Sequence, residues 1–225
     1  MQKLRWFIVL MCFLAVAINY IDRANLGVAV PLIQKEFGID PALMGLILSG
    51  FFWSYALMQL PGGWLIDRFG ARLTYAAATL VMCVATIATG LVRGVVSMFA
   101  CRLLLGAGEA FCYPVNAKVT ALWFRRSERG LATGIWASGS RVGSALSIPL
   151  VAFIISLLGW RAAFFITGAS GFVWMFVWYA LYRDPSDHPA VSPEQLAELR
   201  QDYGVKQARS RFAGWTCSDT GRSGA

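Results

Sequence analysis

Five ionisable side chains interrupt otherwise apolar runs. Asp22 and Arg23 lie within "WFIVLMCFLAVAINYIDRANLGVAV", Arg102 and Glu109 within "MFACRLLLGAGEAFCYPVNAKVTALW", and Arg141 within "GLATGIWASGSRVGSALSIPLVAFIISLL". A charge near the centre of a bilayer costs roughly 2.5–3.5 kcal/mol on insertion scales, so such residues need a purpose or a partner. The ordinary alternative is snorkelling to the interface or a static ion pair. With both carboxylates ionised the set carries a net single positive charge, and each protonation adds one more. Burial disfavours the charged carboxylate while a neighbouring guanidinium favours it. A set so balanced can exchange a proton for a bound anion, because a substrate carboxylate can take the Arg that a protonated Asp or Glu releases. The planar Arg fork suits a carboxylate.

Helical spacing organises these residues into faces. Arg102, Gly106, Glu109, Tyr113 and Asn116 recur at intervals of four and three, which is one stripe of a helix. Asn19, Asp22, Arg23 and Leu26 share a face with Tyr20 on its edge; Tyr55 and Gln59 lie one turn apart; Ser138, Arg141 and Ser144 align. Lipid cannot satisfy polar stripes, so they must face a protein interior or a watery cavity. Tyr20, Tyr55, Gln59, Tyr113 and Asn116 could then offer hydroxyl and amide contacts to a polyhydroxy ligand.

The elements that position these faces follow from composition. The chain of 225 residues is 57% hydrophobic and only 14% charged, with a mean hydropathy of +0.57. Soluble domains run nearer a quarter charged. Runs of about 20 apolar residues, enough to cross a ~30 Å hydrocarbon core as helix, recur along the chain. They predict an all-α membrane protein, a six-helix transmembrane bundle with spans at residues 6–30, 42–66, 73–92, 95–118, 129–158 and 161–182. The fifth is long, so its ends should project or its Pro149 should kink it. The third and sixth spans carry almost no polar face and read as outer supports. A secretory signal cleaved after Ala17 is the weaker reading of the start, because the apolar run continues to Val30.

Residues 1–182 form the expected bundle and residues 183–225 a polar tail, the start of a linker. Ser192 and Pro193 open a helix there that fades after Val205. The net charge of +8 falls wholly within residues 1–182, which gives nucleic-acid binding little support. With the N-terminus inside, Lys3, Arg5, Arg68, Arg72, Lys118, Arg125, Arg126, Arg129 and Arg183 gather on the cytoplasmic side, against Lys35, Arg93 and Arg161 outside. That bias predicts a multi-pass protein of the plasma membrane with both termini cytoplasmic. The five cysteines and His188 show no metal-ligand spacing, and "GAGEA" lacks the preceding strand and Lys of a phosphate loop. No cofactor, metal or enzymatic activity is expected.

The segment "GGWLIDRFGAR" has the form G-x-x-x-D-R-x-G-x-R. Gly63 and Gly70 would allow close backbone approach, Asp67 would sit at a neighbouring helix N-terminus, and Arg68 and Arg72 would hold the inner face. This spacing resembles the best-known motif of the major facilitator superfamily. More narrowly, "INYIDRANLGVAVPLIQKEFGI", "YALMQLPGGWLIDRFGAR", "RLLLGAGEAFCYPVNAKVTALWFRRSERG" and "ASGSRVGSAL" are similar to its bacterial anion:cation symporters, a branch that includes proton-coupled sugar-acid transporters. The resemblance covers roughly residues 5–204 and implies the N-terminal half of a twelve-span fold, itself a 3+3 inverted repeat. It implies that Asp22 and Glu109 are protonatable carboxylates, that Arg102 interacts with the first, and that Tyr20, Arg23 and Tyr55 contact substrate. Arg141 departs from the pattern, since related sugar-acid carriers hold a polar uncharged residue there; a more acidic substrate would fit it.

The functional expectation is secondary active transport: proton-coupled symport of an organic anion, a sugar acid or similar carboxylate, with sodium left open as the coupling ion. Two alternatives stay beside it. One is an inactive or partner-dependent half, because the motifs end around residue 204, as in a truncated or frame-shifted product, and a second six-helix half would be the missing partner. The other is proton-driven drug efflux, which three Arg residues in the cavity disfavour.

Overall fold

A computed structural model describes residues 2–194 together with 196 and 197. Among the described residues the chain is helical with no strand: α1 (Gln2–Phe37), α2 (Pro41–Gly90), α3 (Val95–Glu109), α4 (Cys112–Trp123), α5 (Arg129–Leu158) and α6 (Trp160–Leu181). The expected tail helix from Ser192 and the fading end after Val205 fall largely outside the described residues.

Five stretches are long and apolar enough to cross a membrane: Lys3–Phe37, Pro41–Gly90, Val95–Trp123, Arg129–Leu158 and Trp160–Leu181. The sixth expected span is inside α2. Its 50 residues would measure about 75 Å if straight, more than twice the hydrocarbon core. The helix instead folds back at Gly70, whose φ of 79° and ψ of 161° no side-chain-bearing residue readily adopts. The two arms lie against each other, so that Met58 and Val81 face one groove and the Thr74 hydroxyl reaches the Leu65 carbonyl at 3.5 Å. One glycine therefore makes the whole reversal between the second and third passes. The start of α2 is set locally: Asp40 accepts from the amides of Ala42 and Leu43 at 2.8 and 3.1 Å, and Pro41 occupies the first turn.

The fourth expected span is broken into α3 and α4. Pro114 supplies the reason: it has no N–H to give and its ring collides with the carbonyl four residues back, Ala110, where the helix stops. Glu109 is consequently the last residue of α3, at the break. By contrast α5 continues as helix through Pro149 over all 30 of its residues.

Small residues let the helices close on one another. A Cβ on Gly143 would meet the backbone of Ala17, which brings α5 onto α1; a Cβ on Gly106 would collide with the Phe51 carbonyl, and one on Gly108 with that of Ala78, so α3 sits between the two arms of α2. At the end holding the chain's start, Tyr75, Trp123, Trp174, Trp178 and Tyr182 pack in the largest core cluster, with Trp178 stacked on Tyr182 at 4.1 Å between ring centroids. The His188 ring meets Trp123 edge-on at 5.7 Å, so it is a packing residue of the segment after α6. Ion pairs tie that same end, Arg5 to Glu128 at 2.9 Å and Lys118 to Asp67 at 2.7 Å. The opposite end carries the Arg161–Glu36 pair at 2.6 Å.

Candidate functional site

Successive residues of a helix point about 100° apart, and this separates Asp22 from Arg23. The Arg23 side chain leans to the open face of the bundle, where its guanidinium carbon lies 4.9 Å from the ring centroid of Tyr20, 4.5 Å from that of Phe51 and 5.5 Å from that of Tyr55. Three rings from α1 and the first arm of α2 thus hold it in an aromatic cage, which is favourable for a cation and leaves part of the fork free. Its Nε and Nη2 donate to one oxygen of Glu109, Oε2, at 3.1 and 2.6 Å. The Glu109 side chain is wholly buried, whereas that of Arg23 is 28% exposed. The pair is therefore a lid over a buried carboxylate. Above it the Tyr20 and Tyr113 hydroxyls come within 3.5 Å of each other, and Tyr113 borders an open hollow of about 500 Å³ shared with Gln59, Thr133 and Trp136.

Asp22 turns the other way. It is 1% exposed, and its polar neighbours are Thr86, Thr167, Arg102 and Glu109. Arg102 is 3% exposed, and neither its Nε nor its Nη2 has a hydrogen-bond partner. Both Asp22 oxygens and Glu109 Oε1 are equally without one. Buried polar atoms are nearly always paired, and this concentration of unpaired ones singles the cluster out as the candidate site. Among the described residues no ion pair joins Asp22 to Arg102; the formed pair is Arg23–Glu109.

Asn116 does not join this face. It is fully buried behind Tyr113, its amide directed at the Cys12 carbonyl at 3.5 Å, beside a contact between Tyr75 Oη and Cys112 Sγ at 3.0 Å. The break before α4 and the tight seat against α1 turn it into a packing residue. Arg141 is exposed on α5, roughly opposite the Gly139 and Gly143 side that meets α1, and no contact links it to the Arg23 cage.

The loop motif also differs from expectation in detail. Gly63 has nothing within 4 Å of where a Cβ would lie, so no close approach requires it here. Asp67 pairs with Lys118 of α4 and not with a helix N-terminus. Arg68 lies over the rings of Trp64 and Phe69 at 5.4 and 5.8 Å. Arg72 donates from Nε to the Tyr179 carbonyl at 2.9 Å, holding the turn to the end of α6.

Three residues at the site were not anticipated. Asn25 donates to the Thr167 hydroxyl at 2.5 Å, and Thr86 and Thr167 come from the second arm of α2 and from α6. Those are the passes expected to be outer supports, so they contribute to the polar interior after all. Asn25 shares the Asp22 face by its i, i+3 spacing, Thr86 shares one with Thr79 and Thr89, and Thr167 one with Ser170; hydroxyls in an apolar helix are a weaker signal than charges.

The site belongs to a polytopic helical membrane protein, and comparison with known proteins names its family. The model for the Major Facilitator Superfamily matches residues 12–217, and the chain belongs to that superfamily. It is 39% identical over 201 residues to a D-galactonate transporter of Escherichia coli O6:H1, covering 89% of this chain and 47% of that protein. It is 37% identical over 207 residues to the "Probable galactarate/D-glucarate transporter GarP" of Escherichia coli K12 (89% and 47%). It is 36% identical over 197 residues to the "Probable sulfoacetate transporter SauU" of Cupriavidus necator (87% and 46%). The chain thus spans about half the length of the curated relatives it matches. Among solved structures, a bacterial homologue of the human lysosomal transporter Spinster, inward-facing and occupied, superposes with a TM-score of 0.75 at 24% identity over 80% of this chain and 45% of that one. This likeness establishes the fold. The kin named here are transporters and not enzymes.

Proposed function

We propose that this chain is one half of a secondary transporter that moves a small organic anion, a sugar acid or similar carboxylate, together with a proton. The observation that carries the reading is the caged Arg23, whose fork is engaged by a single oxygen of buried Glu109. Protonation of Glu109 neutralises the partner and frees the fork for a substrate carboxylate, and Tyr20, Tyr55 and Tyr113 line the approach. Asp22 is the second proton carrier, with Arg102 its charged counterpart. The names of the relatives, all carriers of carboxylates or a sulfonated acid, support the substrate class. The basic residues gathered with Arg5, Arg72 and Lys118 support a cytoplasmic location for that end under the positive-inside rule.

A purified-chain thermal-shift screen tests the binding half of this reading. Sugar acids stabilise the chain and Arg23→Lys abolishes the effect; stabilisation by an apolar cation and by no carboxylate would refute it and favour drug efflux. In liposomes holding the chain with a complementary six-helix half, Glu109→Gln uncouples uptake from the proton gradient while substrate exchange persists.

A second reading, activity only alongside such a half, rests on α5. Its side away from α1 carries the small residues Gly130, Gly134, Ser138 and Ala145 beside the exposed Arg141, a surface that suits close helix contact more than lipid. Uptake by the chain alone would overturn it.

A further inference from the structure

The carboxyl of Asp22 has two sets of neighbours, and they differ in kind. One is Arg102, a donor-only fork with two unpaired buried nitrogens. The other is Thr86 and Thr167, hydroxyls that both donate and accept, from the second arm of α2 and from α6, the latter tied to α1 one turn beyond Asp22 by its bond with Asn25. The Thr167 oxygen already accepts from the Asn25 amide at 2.5 Å, which fixes its orientation and leaves its proton to be given elsewhere. Thr86 Oγ1 is buried without a partner, and so is Asn25 Oδ1. Thr86 and Thr167 are 2% and 4% exposed and Asn25 is fully buried, so bulk water does not compete for them.

A carboxylate and a carboxylic acid need different company. The ionised form only accepts, and Arg102 is its natural partner. The neutral form has one O–H to donate and a C=O to accept with, and a guanidinium cannot take the donated proton. A hydroxyl pair can serve both atoms. We infer that Asn25, Thr86 and Thr167 form a hydroxyl pocket that holds the protonated Asp22 carboxyl, so that the side chain swings between Arg102 when charged and the two threonines when neutral. The inference rests on the proposed role of Asp22 as a proton carrier and deepens it: Asn25, Thr86 and Thr167 are positioning residues for the loaded state. The other charged and titratable groups that face Asp22 are Glu109 from α3 and Cys83 from the second arm of α2. Neither supplies the donor-and-acceptor pair that the hydroxyls do.

The test is infrared difference spectroscopy of the purified full chain in lipid nanodiscs as pH is lowered, reading the C=O stretch of protonated carboxyls. The Asp22 band is the one lost in Asp22→Asn and kept in Glu109→Gln. In Thr86→Val and Thr167→Val, which keep shape and remove the hydroxyl, that band moves to higher wavenumber; Thr86→Ser and Thr167→Ser return it toward the original position. Asn25→Ala, which loosens Thr167, broadens it. A band that stays in place in both valine variants overturns the pocket while leaving Asp22 a proton carrier. If no Asp22-dependent band appears down to the pH at which the fold is lost, the carrier role itself fails and the pocket falls with it. Melting temperature alone cannot mimic the expected result, because a merely structural threonine would not shift the carboxyl stretch.

Discussion

Glu109→Gln is the perturbation that most directly tests the lid. In the folded chain Arg23 gives two charge-assisted bonds to one oxygen of Glu109, at 3.1 and 2.6 Å, and the remaining Glu109 oxygen is unpaired. A substrate carboxylate must displace at least one of those bonds to reach the fork. Hydrogen bonds to charged groups contribute about 1.5–3 kcal/mol each, and a tenfold change in affinity corresponds to about 1.4 kcal/mol. Neutralising Glu109 therefore raises affinity for a sugar acid by roughly ten- to a hundredfold at neutral pH. The cage is unchanged by the substitution, because its contacts come from Tyr20, Phe51 and Tyr55. Calorimetric titration of the purified chain with galactonate across a pH series is the assay. In the unsubstituted chain affinity weakens as pH rises and Glu109 loses its proton; in the variant the Glu109-linked part of that dependence is absent. Weaker binding in the variant, or an unaltered pH dependence, would refute the exchange of Glu109 for substrate at Arg23.

Four further outcomes follow from the fold. Gly70→Ala destabilises the chain by about 1–3 kcal/mol, read as a lower melting temperature in detergent, since the backbone at φ 79° and ψ 161° admits little but glycine. Gly63→Ala, in open helical surroundings, leaves stability unchanged or raises it by roughly 0.5–1 kcal/mol in the same measurement. Gly106→Val prises α3 from the first arm of α2, because its Cβ would enter the Phe51 carbonyl; sharply reduced yield of folded protein in size-exclusion chromatography checks it. Lys118→Met, which breaks the Asp67 pair at an exposed end, costs no more than about 1 kcal/mol in chemical unfolding.

Much of this is legible in the sequence. Charge cannot be scattered in apolar helices without cause, so Asp22, Arg23, Arg102 and Glu109 stood out, and helical period alone put Glu109 and Arg102 on one face. What failed was the assumption that a face, once begun, continues. Pro114 interrupts the stripe between Glu109 and Asn116, and the amide ends up packed against Cys12. The second and third passes are separate in the apolar pattern, but the turn between them is one residue, Gly70, a conformation that a G-x-R pattern does not disclose. Thr86 and Thr167 escaped notice because a hydroxyl in a helix can satisfy itself on its own backbone and needs no polar neighbours along the chain.

Composition and periodicity by themselves determined that this chain is a bundle of membrane helices with a buried charge cluster, because hydrocarbon admits so few other solutions. Which charges meet was decided only by the tertiary structure. Adjacent residues on a helix diverge by about 100°, and so Asp22 and Arg23, inseparable in sequence, face different partners: Arg23 the aromatic cage and Glu109, Asp22 the unpaired Arg102 and the hydroxyls of Thr86 and Thr167.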